Sequence, residues 1–200
     1  MWCHVFMTAA PPRVRLVRFT ATELANRLTE ALRVYVTAMD YPRSAIRQRA
    51  PLWREHTHRA GWRGVGALDA GDSLVGLGYG YLGARGQWWH EEVRRGLVDS
   101  GPQQLAWLSD YFELTELHVL PRAQGGGLGE QLLRLLLTGC QSDSVLLSTP
   151  EMDPSNPSRA WQLYRRLGFT DVLRGHRFVG DPRPFAVLGR PLPLEPPGTR

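Results

Sequence analysis

The segment Glu116-Leu-His-Val-Leu-Pro-Arg-Ala-Gln-Gly-Gly-Gly-Leu-Gly-Glu-Gln-Leu-Leu133 constrains this chain more than any other. An apolar strand stops at Pro121, and Gly125, Gly126, Gly127 and Gly129 open directly into a leucine-rich helix. Glycine lets the backbone turn tightly and approach a ligand closely. The first amides of the helix that follows have no partner within it and lie at the positive end of its dipole. A strand, a glycine turn and a helix in this order therefore suit an anionic phosphate. A Walker-type loop is excluded, because it needs a lysine after its last glycine and every Lys-or-Arg position of the chain is Arg. The dinucleotide spacing G-x-G-x-x-G is excluded as well: from Gly125 or Gly127 the third glycine would fall on Glu130 or Leu132.

The spacing that does fit is Gln124-x-x-Gly127-x-Gly129, preceded by Val119-x-Pro121. It resembles the acetyl-coenzyme A loop of the GNAT superfamily, the Gcn5-related N-acetyltransferases. A second segment, Asn156-Pro-Ser-Arg-Ala-Trp-Gln-Leu-Tyr164-Arg-Arg-Leu-Gly168-Phe169, looks like that family's other conserved block. There an Asn precedes a short helix that carries a Tyr and ends in Gly-Phe. One departure stands out: Asn156 lies eight residues before Tyr164, where the commoner family pattern has seven. Either Pro157 adds a residue to the turn or another group takes the place of that Asn.

The resemblance implies an α+β fold: one GNAT-type domain with a mostly antiparallel, six- or seven-stranded mixed sheet flanked by about four helices. It would occupy residues 13–190, between an N-terminal tail (1–12) and an unpacked, proline-rich C-terminal tail (191–200). It also implies an acetyl-coenzyme A-dependent N-acetyltransferase acting by direct attack of a primary amine, on a small molecule or on a protein lysine or N-terminus. Backbone groups of Leu117, His118 and Val119 would pair with the pantetheine arm. The Gln124 side chain and the amides of Gly125, Gly126, Gly127, Leu128, Gly129 and Glu130 would meet the pyrophosphate, with Asn156 holding the arm. Tyr164 would protonate the departing thiolate. Three carboxylates are candidate bases, Glu113 first, six residues before Val119. Glu116 lies on the opposite face of an ideal strand unless a bulge turns it inward, and Glu151 lies after the next strand. A non-catalytic acyl-coenzyme A-binding module with the same fold is the alternative.

Composition narrows the partners. The formal charge of +5 comes entirely from arginines scattered along the chain, with no basic run to make a nucleic-acid face. No segment is long and apolar enough to span a membrane. With only Cys3 and Cys140, a disulfide scaffold is excluded and a reducing cytoplasm is expected. His56-x-His58 and His90-Glu-Glu92 lack a third ligand at a telling distance, so no metal is expected. Tyr35, Met39, Tyr41, Trp53, Trp88 and Trp89 could line an acceptor pocket, fill the core or cover a homodimer contact.

Periodicity supplies the remaining elements. Alternation predicts strands over 13–19, 63–69 and 73–82, a central strand over 111–120 and a short buried one over 145–148. Helical spacing predicts helices over about 22–38, 44–58 with Pro51 as a kink or boundary, 91–97, 127–138 and 157–167. A C-terminal hairpin is expected from strands 177–179 and 185–188 around Gly180-Asp-Pro.

Overall fold

In the computed structural model, which describes residues 14–151 and 158–195, the apolar runs assemble into a seven-stranded open sheet. Its strands are β1 (Arg15–Phe19), β2 (Arg63–Leu68), β3 (Leu74–Leu82), β4 (Tyr111–Val119), β5 (Ser144–Pro150), β6 (Thr170–His176) and β7 (Phe185–Pro191). The order is β1-β2-β3-β4-β5-β7-β6. Every neighbouring pair is antiparallel except β4 and β5. That parallel pair is joined only at Tyr111, Phe112 and Glu113, opposite Ser144, Val145 and Leu146. Beyond Glu113 the two strands part in mid-sheet.

Seven α-helices accompany the sheet among the described residues, more than the four or so expected. They are α1 (Ala21–Asn26), α2 (Leu28–Ala38), α3 (Ala45–His56), α4 (Trp88–Leu97), α5 (Pro102–Leu105), α6 (Leu128–Leu137) and α7 (Arg159–Arg166). The first predicted helix is two: Thr20 and Glu23 form a capping box at the start of α1, and Arg27 leaves helical geometry at φ −98°, ψ 11° while its guanidinium bonds Asp72. Pro51 lies within α3 rather than at its edge. Along β3, alternation divides the two faces of the sheet. A Cβ on Gly76 would meet Leu132 of α6, whereas Tyr79 packs edge-on against Trp53 of α3 at 5.0 Å. Helices α2 and α3 thus cover one face. The opposite face carries α6, whose Leu128, Leu132, Leu133, Leu136 and Leu137 form one buried stripe. There α7 lies beside α6, linked to it by Glu130 and Arg166 at 3.3 Å.

Two expectations at the C-terminal end are corrected. The first strand of the hairpin is β6 at Thr170–His176, and 177–184 form a loop. Only Val172 of β6 is fully buried and its pairing with β7 is broken twice, so the strand leaves little alternation to read. The tail is packed through its described part. Pro191 ends β7, Leu192 N–H donates to the Asp143 carbonyl at 2.9 Å, and Leu192 and Leu194 lie against the core. The 1–12 tail lies outside the described residues.

A bulge shapes β4. Tyr79 faces Glu116 but Gly80 faces Leu114, so Thr115 is an extra residue. Only glycine fits opposite it: a Cβ on Gly80 would stand 2.1 Å from the Glu113 carbonyl oxygen and 2.5 Å from the Phe112 ring. Gly80→Ala is expected to destabilise the fold by roughly 1–3 kcal/mol through this overpacking, read as a lower thermal midpoint. An unchanged midpoint would show that the bulge does not depend on glycine.

Candidate active site

Because Thr115 is an extra residue, Glu113 and Glu116 face the same side of β4 despite their odd separation, opposite Tyr81 and Tyr79 respectively. The opposite-face placement of an ideal strand thus does not hold for Glu116: the bulge turns it inward. Both carboxylates line a cleft of about 590 Å³ where β4 and β5 separate. Leu147 to Pro150 of β5 form the facing wall, and α2, α3 and α4 close the near side. Tyr164 enters from α7, through the gap, from the other face of the sheet. Of the six aromatic and Met candidates, Tyr35, Met39, Tyr41, Trp88 and Trp89 line this cleft, while Trp53 is wholly buried behind it. The 177–184 loop overhangs the mouth. Glu92 accepts from the Val179 amide at 3.2 Å, and Arg183 donates to the Tyr41 hydroxyl at 3.3 Å.

Burial sets the chemistry of these groups. Glu113 is 3% exposed, and this desolvation lifts its carboxyl from the ordinary 4.5 to about 7 against the opposing pull of a Tyr81 hydrogen bond and the Arg59 charge. Its Oε1 accepts from the Tyr81 hydroxyl at 3.0 Å, and its Oε2 is buried without a partner among the described residues. Burial, then the negative charge of Glu116, pushes the Tyr164 hydroxyl well above the ordinary phenol range, so it keeps its proton. Glu116 Oε2 lies 2.5 Å from His118 Nε2, and the His118 ring packs on Tyr35 at 5.1 Å, placing this histidine as a bonded strand residue. Burial, reinforced by the Arg59 charge, lowers His56 to about 4, leaving it neutral beside the Tyr79 hydroxyl at 3.0 Å.

Glu151 accepts from Arg174 Nε and the Gly175 amide, both at 2.7 Å, which hold its carboxyl below the usual range, and it is not among the described residues that line the cleft. Asn156 lies outside the described residues. Tyr81, Arg59 and Thr115 around Glu113 were not singled out from the sequence. The alternating Gly-Tyr-Gly-Tyr of β3 is the signal that could have pointed to Tyr81.

The glycine loop starts where β4 ends. Gly125 and Gly127 take left-handed φ of 90° and 74°, and α6 begins directly after Gly127. A Cβ built on Gly125 or Gly126 meets no atom within 4 Å, so the loop backbone borders open space. Leu128 is buried in the core, while Glu130 binds Arg134 and Arg166 with its side chain, so these two residues could offer an anion only their amides. Gln124 Nε2 donates to the Val119 carbonyl at 2.9 Å and its Oε1 accepts from Arg159 at 3.4 Å. It braces the loop. On the side of β5, the backbone from Leu114 to Val119 has no paired strand among the described residues, an edge on which an extended amide-bearing arm can lie. Among the described residues no group of three or more His, Cys, Asp or Glu is placed to hold a metal ion, and no helix is long and apolar enough to cross a membrane.

Comparison with known proteins identifies the family. A family profile described as an acetyltransferase (GNAT) domain matches residues 74–171. The GCN5-like protein acetyltransferase Rv2170 of Mycobacterium tuberculosis is 50% identical over 203 residues, covering 90% of this chain and 98% of that protein. A crystal structure of a GNAT-family protein from Desulfovibrio desulfuricans superposes with a TM-score of 0.62 at 17% identity, over 90% of this chain and 99% of the other. The NatC complex bound to Gag peptide and CoA gives 0.56 at 15% identity, over 90% and 99%. The chain belongs to the GNAT family and is an acetyltransferase.

Proposed function

We propose that this chain transfers an acetyl group from acetyl-coenzyme A to a primary amine by direct attack, with Glu113 as base and Tyr164 as acid. The observation that carries this reading is the convergence of a buried carboxyl that ionises near neutral pH and a proton-bearing phenol from opposite faces of the sheet on one cleft, with the glycine loop following the same strand β4. The open backbone of Gly125 to Gly127 and the amides at the start of α6 fit a pyrophosphate, and the unpaired edge of β4 fits a pantetheine arm. When bound, acetyl-coenzyme A supplies a thioester carbonyl. An alkylammonium has no lone pair, so the acceptor must first lose a proton. A carboxyl near 7 is poised to take it at neutral pH. Tyr164 holds the proton that a departing thiolate needs. Glu116, held by His118, also lines the cleft and is the substitute base. No enzyme nucleophile is required. The relative from Mycobacterium tuberculosis is named a protein acetyltransferase, which favours a protein lysine or N-terminus among the acceptors.

The donor site is tested by Gly126→Val. Its side chain would enter open space, and the φ of Gly126 is not left-handed. The thermal midpoint is expected to stay where it is, while the Kd for coenzyme A, measured by calorimetry, rises about tenfold or more. Unchanged affinity would place the diphosphate elsewhere. An amine panel assayed by thiol release tests turnover. Coenzyme A binding without turnover of any amine would favour the sensing module instead.

A further inference from the structure

Glu113 is the buried end of a hydrogen-bonded row that reaches the surface. Its Oε1 accepts from the Tyr81 hydroxyl at 3.0 Å, the Tyr81 oxygen accepts from Arg59 Nη1 at 3.0 Å, and Arg59 Nη2 donates to Glu55 Oε1 at 3.1 Å. The Glu55 side chain is 66% exposed. A guanidinium carries donors and no acceptor. Tyr81 must therefore receive from Arg59 at its oxygen, and its single hydroxyl proton is left for Glu113. The direction of both bonds is fixed. Thr115 Oγ1, 3.5 Å from the same Oε1, is a weaker second donor. Glu113 Oε2 has no partner among the described residues.

We propose that Arg59 and Tyr81 are positioning residues that commit one oxygen of Glu113 and leave the other, Oε2, as the atom that takes the proton from the acceptor amine. This rests on the reading of Glu113 as base given above. In that step an N–H bond of the alkylammonium breaks, its electron pair stays on nitrogen, and an O–H bond forms at Oε2. A cation and a carboxylate become a neutral amine and a carboxylic acid. The Tyr81 and Thr115 hydroxyls approach the two lone pairs of Oε1, so a proton there would displace one of them, whereas Oε2 has no partner among the described residues. The cation-π placement of Arg59 over the Tyr81 ring, at 4.7 Å, holds the guanidinium against that same side chain.

The titratable and charged groups around Glu113 are Tyr79 and Tyr81 of β3, Arg59 and the neutral His56 from α3 and the turn after it, Glu116 and Tyr111 of β4, and His90 of α4, which bonds Tyr111 at 3.1 Å. Of these, Tyr81 and Arg59 favour the carboxylate, and Glu116 opposes it. Loss of either favourable partner moves the ionisation of Glu113 upward.

The test is the pH dependence of kcat/KM together with an infrared titration of the protonated carboxyl in the ligand-free protein, with Glu113→Gln as reference. Tyr81→Phe is expected to move the acid limb of the rate profile and the infrared titration upward together, by about one pH unit. Arg59→Met should move both in the same direction by less. A purely structural role for these side chains would lower the rate evenly across pH with limb and infrared titration unmoved, and that result overturns the proposal. An acid limb that survives in Glu113→Gln would mean that the base reading itself is wrong. A limb lost in Glu113→Gln but fixed in Tyr81→Phe and Arg59→Met would sink only the positioning role. Should Tyr81→Phe not fold, Arg59→Met, at a side chain 18% exposed, carries the same decision.

Discussion

Glu113→Gln is expected to slow acetyl transfer at neutral pH by about a hundredfold or more while making the protein more stable at that pH. Both effects follow from one buried carboxyl. Its ordinary value is 4.5, taken here for the unfolded chain, and burial raises it to about 7 in the fold. Between those values the unfolded chain has lost the proton and the folded protein still holds it, so stability falls as pH rises through this window. Above about 7 the full penalty applies, roughly 3 kcal/mol at about 1.4 kcal/mol per pH unit. Gln keeps the acceptor for Tyr81 and carries no charge to bury. Thermal midpoints of parent and variant should therefore nearly coincide at about pH 5 and separate at about pH 8, with the variant higher. A variant that keeps full rate would pass the base role to Glu116. Equal midpoints at both pH values would refute the raised ionisation.

Tyr164→Phe is expected to lower kcat by about a hundredfold with little change in KM. The ring is packed against Phe169 at 5.4 Å and is 7% exposed, so the substitution removes a hydroxyl and leaves the packing in place. The thermal midpoint should hardly move. A thioester donor with a more acidic thiol leaves as its thiolate more readily, so the defect should shrink with such a donor. A defect of the same size with every donor would mean that Tyr164 shapes the cleft instead of supplying a proton.

The unit from β4 through the glycine turn to α6 was legible because its signals are local: an apolar run, left-handed glycines and a leucine stripe within one short stretch. The short helix that carries Tyr164 was legible for the same reason, closed by Gly168 at φ 80°. The face of Glu116 was not, because it depends on Thr115 having no partner where Tyr79 and Gly80 pair with Glu116 and Leu114, a register set across more than thirty positions of sequence. Arg59 and Tyr81 were hidden likewise, each ordinary in its own neighbourhood and meaningful only beside the other. The misplaced hairpin shows the reverse case. Gly180-Asp-Pro carried a clear turn signal, whereas β6, an edge strand buried mainly at Val172, had almost none.

The parting of β4 from β5 after three paired residues has a kinetic consequence. On the proposed reading the donor would lie along the unpaired edge of β4 toward the glycine turn, and the acceptor among the aromatic residues of the cleft. Donor and acceptor can then be resident together, neither blocking the other's exit. Initial-rate plots against both reactants should intersect, as a ternary complex requires, and not run parallel.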